Sequence, residues 1–227
     1  GGTRHGWLLA EKTTLPNMHE ASFPQASPAS PTPYIETQLP DGEPIVLRPV
    51  RPSDQNRLAQ APRLMSAHAL EKRFLHPVHH LDEQLLNYLS HPDQKNHVAW
   101  GMLPQTPRDH PGYGVARYFV LDDPQWAEFS ISIIDEVQER GAGTMLLALL
   151  CERALCSEVR YFYAEISADN MFFVNRLKQI GATAEPDGNV FLIRWDIKGS
   201  SEVEVTTSFA QRLASFRRFF RKKVSRC

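Results

Sequence analysis

A mixed α/β fold, one sheet with helices on both faces, is the architecture this sequence predicts. Three observations carry it: strand-like runs follow one another up to residue 134, a strand-helix-strand-helix-hairpin order follows, and DEVQERGAGTMLLALL at 135–150 runs from an acidic turn through two glycines into an apolar helix. With 42% hydrophobic and 22% charged residues in 227, the chain can bury the core of one ordinary globular domain with tails.

LPNMHEASFPQASPASPTPY is rich in Pro, Ser and Ala and has little to bury, and the seventeen prolines crowd toward the first 62 residues, so 1–43 is expected to be disordered. The folded domain is placed at 44–198 and a linker with a basic tail at 199–227. EPIVLRPV reads as a strand, after which Arg51-Pro52-Ser53-Asp54 resets the chain, with Ser53 or Asp54 as a helix cap. Helical patterns follow at Gln55 to Phe74, broken by Pro62, and at Leu81 to Leu89. HVAWGML and GYGVARYFVLD read as strands, and in AEFSISII the residues Glu128, Ser130 and Ser132 alternate with Phe129, Ile131 and Ile133. The glycine-led helix is expected to end near Cys156. VRYFYAEIS is a strand, Asn170 to Ile180 a helix stopped by Gly181, and Asp187-Gly188 a hairpin turn between ATAEP and NVFLIRWDI, with Trp195 in the core.

The formal net charge of −1 conceals an asymmetry. Residues 207–227 hold seven cations and no acid, which leaves the body at −8 and argues against a basic fold that binds specific nucleic acid. There is no run of 18 apolar residues, and WLLA near the start is too short for a signal-peptide core, so neither a membrane span nor secretion is expected. Cys151, Cys156 and Cys227 lack metal-type spacing and read as reduced thiols of a cytoplasmic protein, the first two as packing residues. In the tail, Phe209, Leu213, Phe216 and Phe220 form one helical stripe among basic residues. Such a helix suits an anionic membrane surface, giving peripheral attachment, or an acidic protein surface, the −8 body included; a frayed tail is the alternative.

The glycines matter for chemistry. The first turn of a helix has N–H groups without partners and partial positive charge, so a phosphate is a natural guest, and Gly141 and Gly143 would let it approach the backbone. A glycine-rich turn before a core helix is the plain alternative, since G-x-G alone is weak.

Gln138-x-x-Gly141-x-Gly143 after AEFSISII, with Ala168-Asp169-Asn170 closing the next strand, resembles the N-acetyltransferase (GNAT) superfamily over roughly residues 44–196. Arg73-Phe74 and Ala127-Glu128-Phe129 are similar to the GNAT domains of bacterial protein lysine acetyltransferases, a subfamily often fused to a large acyl-CoA-synthetase-like domain. The resemblance implies an α/β (α+β) fold with a mostly antiparallel sheet and a splayed acetyl-CoA cleft. It implies acetyl-CoA as acyl donor, a primary amine as acceptor with protein lysine first, and no metal. By position, Gln138, Glu139, Arg140, Gly141, Ala142, Gly143 and Thr144 would bind pyrophosphate, Ile131, Ser132 and Ile133 the pantetheine, and Asn170 would hold the arm from the neighbouring strand.

Glu128 is implied as the catalytic group, taking the proton of the attacking amine through water. Backbone N–H near Ser132 and Ile133 would stabilise the oxyanion, and because four residues of strand are about 13 Å, Glu128 would act on the incoming amine rather than on the thioester. The alternative is a structural glutamate paired with an arginine such as Arg117. Many GNAT enzymes have a tyrosine where this chain has Leu177, and an aromatic where it has Ala182; the first departure leaves open a catalytically idle acyl-CoA-binding or scaffold module. His76, His79 and His80, with only Asp82 nearby, are read as an exposed loop rather than a metal site.

Overall fold

The computed structural model describes residues 34–64, 83–106, 110–199 and 207–224. Eight strands form one sheet: β1 (Ile35–Gln38), β2 (Pro44–Pro49), β3 (His97–Pro104), β4 (Gly114–Val120), β5 (Trp126–Ile133), β6 (Tyr161–Ser167), β7 (Thr183–Asp187) and β8 (Val190–Asp196), in the order β1-β2-β3-β4-β5-β6-β8-β7. The helices are α1 (Gln55–Gln60), α2 (Glu83–Ser90), α3 (Ala142–Cys156), α4 (Met171–Lys178) and α5 (Ser208–Val224). Every strand pairing is antiparallel except β5 with β6, which is parallel because α3 carries the chain across between them. The mixed, mostly antiparallel sheet is as the sequence predicts.

Alternation along β4 and β5 sorts the two layers. Ala116, Tyr118, Ala127 and Phe129 turn toward one face and are buried with Leu146, Leu147 and Leu150 of α3, Phe162 of β6 and Trp195 of β8. Trp195 also satisfies its indole N–H, donating to Ile180 O at 3.1 Å. The opposite face carries a smaller cluster in which Leu86 and Leu89 of α2 pack with Leu58 of α1 and Phe119 of β4. Toward its end α1 gives way to a 3-10 turn at Ala61–Leu64, where Pro62 has no N–H to donate. Asp54 ties this layer down: it accepts two 2.7 Å hydrogen bonds from Arg48 and one from Arg51 N–H at 2.9 Å.

Three expectations are corrected. The ordered chain starts before residue 44, for β1 pairs along β2 and seats Ile35 and the following Leu39 in the core. The C-terminal helix is not an appendage: it lies on α3 and buries Phe209, Leu213, Phe220 and Val224, each worth about 1.5–3 kcal/mol on full burial. Its apolar stripe therefore meets this domain rather than a membrane or a separate acidic protein, and the acid it meets is Glu152 of α3. Arg217 Nε donates to Glu152 Oε1 at 2.7 Å and its NH1 to Ile197 O at 2.9 Å, while Arg221 Nε reaches Glu152 Oε2 at 2.9 Å. The third concerns sulfur. Cys151 is a free, fully buried thiol pushed up to about 12 by burial, but Cys156 is disulfide-bonded where a reduced thiol was expected. The end of α3 there meets the end of α5, with Cys156 Sγ 3.5 Å from Val224 O. Among the described residues no helix is long and apolar enough to cross a membrane.

Candidate active site

The loop between β5 and α3 folds in two steps. A 3-10 turn at Asp135–Val137 is closed by Gln138, whose side chain donates to Asp135 Oδ1 at 2.7 Å, and Gly141 then takes a left-handed φ of 91° to start the helix. Met145 N–H is the first to reach an intrahelical carbonyl, Gly141 O at 3.0 Å, which leaves the N–H groups of Ala142, Gly143 and Thr144 without an acceptor among the described residues. The side chains of Ala142 and Thr144 are buried, so it is backbone that the loop presents.

The two glycines differ. A Cβ on Gly141 would come within 2.8 Å of Pro40 Cγ, and its φ disfavours any L side chain, so the fold itself requires this glycine. A Cβ on Gly143 would meet only Ile133 Cγ1 at 3.8 Å, an ordinary contact. Nothing in the packing demands a glycine at 143, and the open backbone there suits a group that must come close to the N–H donors. Arg140 of the same loop is paired with Asp41 at 2.5 Å, so the turn between β1 and β2 buttresses it, a contact between residues 99 apart that no local pattern could signal.

β5 leads from this loop to the fork in the sheet. Parallel pairing with β6 covers only Trp126–Glu128 against Tyr161–Tyr163; beyond Glu128 the strands part, and the β6-facing edge of Phe129–Ile133 has no partner strand among the described residues. Ile131 and Ile133 pack toward the α3 side. Ser132 faces the other way, its Oγ buried without a hydrogen-bond partner among the described residues, into a cleft between the sheet and α1–α2 that Arg48, Arg57, Met102 and Val115 also line.

Glu128 stands at the vertex of the fork, opposite Phe119 on β4 and Tyr163 on β6. Burial, and then the negative charge of Glu165, raise its carboxyl above the ordinary glutamate value. It makes no hydrogen bond or ion pair among the described residues. Arg117, the structural partner weighed from sequence, turns elsewhere: its NH1 donates to Leu89 O at 3.2 Å and lies 3.1 Å from His97 Nε2. Burial first, and then the Arg117 charge, lower His97 to about 3, so the ring is neutral and accepts from Arg117. His97, Tyr88 and Phe119 stack on one another as a cluster of three rings, with centroid distances of 5.1 Å (Tyr88–His97), 4.3 Å (His97–Phe119) and 5.7 Å (Tyr88–Phe119), beside Glu128.

Residues 45–183 match the family model described as the acetyltransferase (GNAT) domain. The chain belongs to the GNAT acetyltransferase family. Among curated proteins it is 32% identical over 150 residues to the acetyltransferase Pat of Mycolicibacterium smegmatis, covering 65% of this chain and 44% of that protein, so it spans less than half of that relative's length. A Pseudomonas aeruginosa acetyltransferase is 26% identical over 156 residues, 69% of this chain and 84% of its own. Among solved structures, the GNAT domain of S. lividans PAT superposes with a TM-score of 0.65 at 21% identity, over 72% of this chain and 96% of that one. A Vibrio cholerae spermidine N-acetyltransferase in complex with CoA and spermine gives 0.55 at 15% identity, over 69% and 97%. At these identities both show the fold alone.

Asn170 ends the turn after β6 and caps α4, its Oδ1 accepting from Phe173 N–H at 3.4 Å, on the far side of the fork from Ser132. Leu177 is fully buried in the core and Ala182 almost so; neither supplies an acid. Arg73-Phe74, His76, His79, His80 and Asp82 lie outside the described residues. Tyr163 and Glu165 flank Glu128 and were not singled out from sequence. The alternation in YFYAEIS places them on one face, but the parallel register that brings that face to Glu128 is tertiary.

Proposed function

We propose that this GNAT domain transfers an acetyl group from acetyl-CoA to a primary amine, the side-chain amine of a protein lysine, by direct attack within a ternary complex. The observation that carries this reading is the layout of β5. Among the described residues, it leads from unpaired backbone amides with space at Gly143 to an unpartnered, half-buried carboxylate at the fork.

Acetyl-CoA, when bound, supplies an activated thioester and a pyrophosphate. The amides of Ala142, Gly143 and Thr144, at the positive end of α3, hold the pyrophosphate, with Gln138, Glu139 and Arg140 bordering it. The open edge of β5 at Ile131, Ser132 and Ile133 orients the pantetheine, and a backbone N–H near Ser132 and Ile133 steadies the oxyanion as the amine nitrogen bonds to the carbonyl carbon. Asn170 borders the arm from the other side. Glu128 takes the proton of the attacking amine through water, for which a carboxylate made more basic by burial is suited, and the C–S bond then breaks to release the thiolate of CoA. Protein lysine is chosen on the likeness of Arg73-Phe74 and Ala127-Glu128-Phe129 to protein lysine acetyltransferases.

Glu128→Gln is expected to keep CoA affinity and to lose roughly 10²-fold in turnover near neutral pH, with partial recovery at alkaline pH where the amine arrives deprotonated. Full activity with an unchanged pH profile in that variant would make Glu128 structural. Leu177, with no phenol at its position, favours one second reading, an idle acyl-CoA-binding module. Such a module would bind CoA yet turn over neither lysine peptides nor polyamines.

A further inference from the structure

Tyr161, Tyr163 and Glu165 alternate along β6 and share its face. Tyr163 stands directly opposite Glu128 in the parallel ladder, and Glu165 follows beyond the last pair, where β6 has left β5. The Tyr163 hydroxyl donates to Glu165 Oε1 at 2.8 Å, which fixes the Glu165 carboxylate on the Glu128 side of the strand. Burial first, then the Glu165 hydrogen bond and charge, keep the Tyr163 phenol well above its ordinary value, so it remains a donor. The cation on the neighbouring strand, Arg194 of β8, is paired with Glu185 of β7 at 2.9 Å. The vertex of the fork thus has Glu128 between two aromatic rings, Phe119 and Tyr163, with a second carboxylate at its outer rim. Two neighbouring carboxylates attract an ammonium group more strongly than a neutral amine, to which they offer only hydrogen-bond acceptors.

We propose that Glu165, oriented by the Tyr163 hydroxyl, is a positioning residue that draws a cationic acceptor amine to the vertex beside Glu128. The proposal rests on the reading of Glu128 as the proton acceptor and deepens it to a choice among amines. Glu165 itself is exposed, so its attraction acts at the entrance and is screened by salt. Among the described residues, the other charged and titratable groups near Glu128 are Tyr88 on α2, His97 and Arg117 in their mutual contact, and Arg194 paired with Glu185.

The test compares wild type, Glu165→Gln, Tyr163→Phe and Glu128→Gln with acetyl-CoA and a monocationic probe, an N-acetyl-lysine amide. In Glu165→Gln the KM for the lysine probe should rise about three- to tenfold, lose much of its salt dependence, and leave the KM for acetyl-CoA unchanged. Removing the neighbouring negative charge should also lower the Glu128 pKa, moving the acidic limb of kcat/KM to lower pH. A carbon-13 NMR titration of the Glu128 carboxyl reads that shift whether or not the probe turns over. Tyr163→Phe should move both quantities the same way by less. Loss of turnover in Glu128→Gln, with acceptor KM and Glu128 titration unchanged in Glu165→Gln, overturns the role of Glu165 and leaves the Glu128 reading standing. A fully active Glu128→Gln beside weakened acceptor binding in Glu165→Gln overturns Glu128 as proton acceptor and keeps Glu165 as the acceptor's guide.

Discussion

At its N-terminus α3 leaves the amides of Ala142, Gly143 and Thr144 without acceptors among the described residues, whereas toward its C-terminus Glu152 is held by Arg217 and Arg221 of a second helix. One helix is therefore open where a ligand would meet it and clamped where no ligand comes. Free amides are useful only if they stay fixed in direction, and the burial of eleven of the fifteen residues of α3 fixes them. The open end is a local feature written in two glycines. The clamped end is assembled from residues 65 apart in the chain.

Substitutions that act on one end alone can break this contrast. Arg217→Ala should have the largest effect on stability, about 3 kcal/mol in chemical denaturation, because Glu152 is only 4% exposed and would keep a half-exposed Arg221 as its remaining partner. CoA affinity of the folded fraction should not change. Gly143→Val should do the reverse: calorimetry should show CoA binding weakened about 100-fold or more, roughly 2.7 kcal/mol, with the denaturation midpoint hardly moved. Equal CoA binding by the valine variant would remove the pyrophosphate from this end of the helix.

A pH experiment adds a control remote from both ends. His97 is depressed to about 3 in the fold against an ordinary 6.5, so on acidification the unfolded chain takes up its proton first. The stability contributed by neutral His97 is complete above about pH 6.5 and is lost progressively between 6.5 and 3. From pH 7 to pH 5 the loss should be about 2 kcal/mol, and His97→Gln, which keeps an acceptor for Arg117, should flatten that slope.

Most of the sheet was legible because strands such as β2 and β6 alternate over five or more residues and β3 is a continuous apolar run, and the glycine loop because G-x-G directly before an apolar helix has few other uses. β1 escaped notice because IETQ has one apolar residue in four, too short a sample for a period of two. The stripe of α5 was legible and its partner was not: Phe209, Leu213 and Phe220 would look the same bound to lipid, to another protein or to α3. The arginine there mattered more than the pattern suggested, since Arg217 is buried in the stripe itself while Phe216 is only half-buried. At the site, the sequence pointed to Glu128 but placed Arg117 as its alternative partner. Arg117 instead serves His97, a contact created by the register of β3 on β4 and the approach of α2.

β8 has a consequence for what counts as a portable piece of this protein. The likeness to the family model ends at residue 183, yet β8, at 190–196, lies between β6 and β7 and fills the core with Trp195. A recombinant fragment cut at that limit would leave the outer edge of β6 without its neighbour and Phe162 without the indole beside it, 6.2 Å away. The stretch that the family model matches is thus smaller than the stretch that must travel together in gene fusion or shuffling.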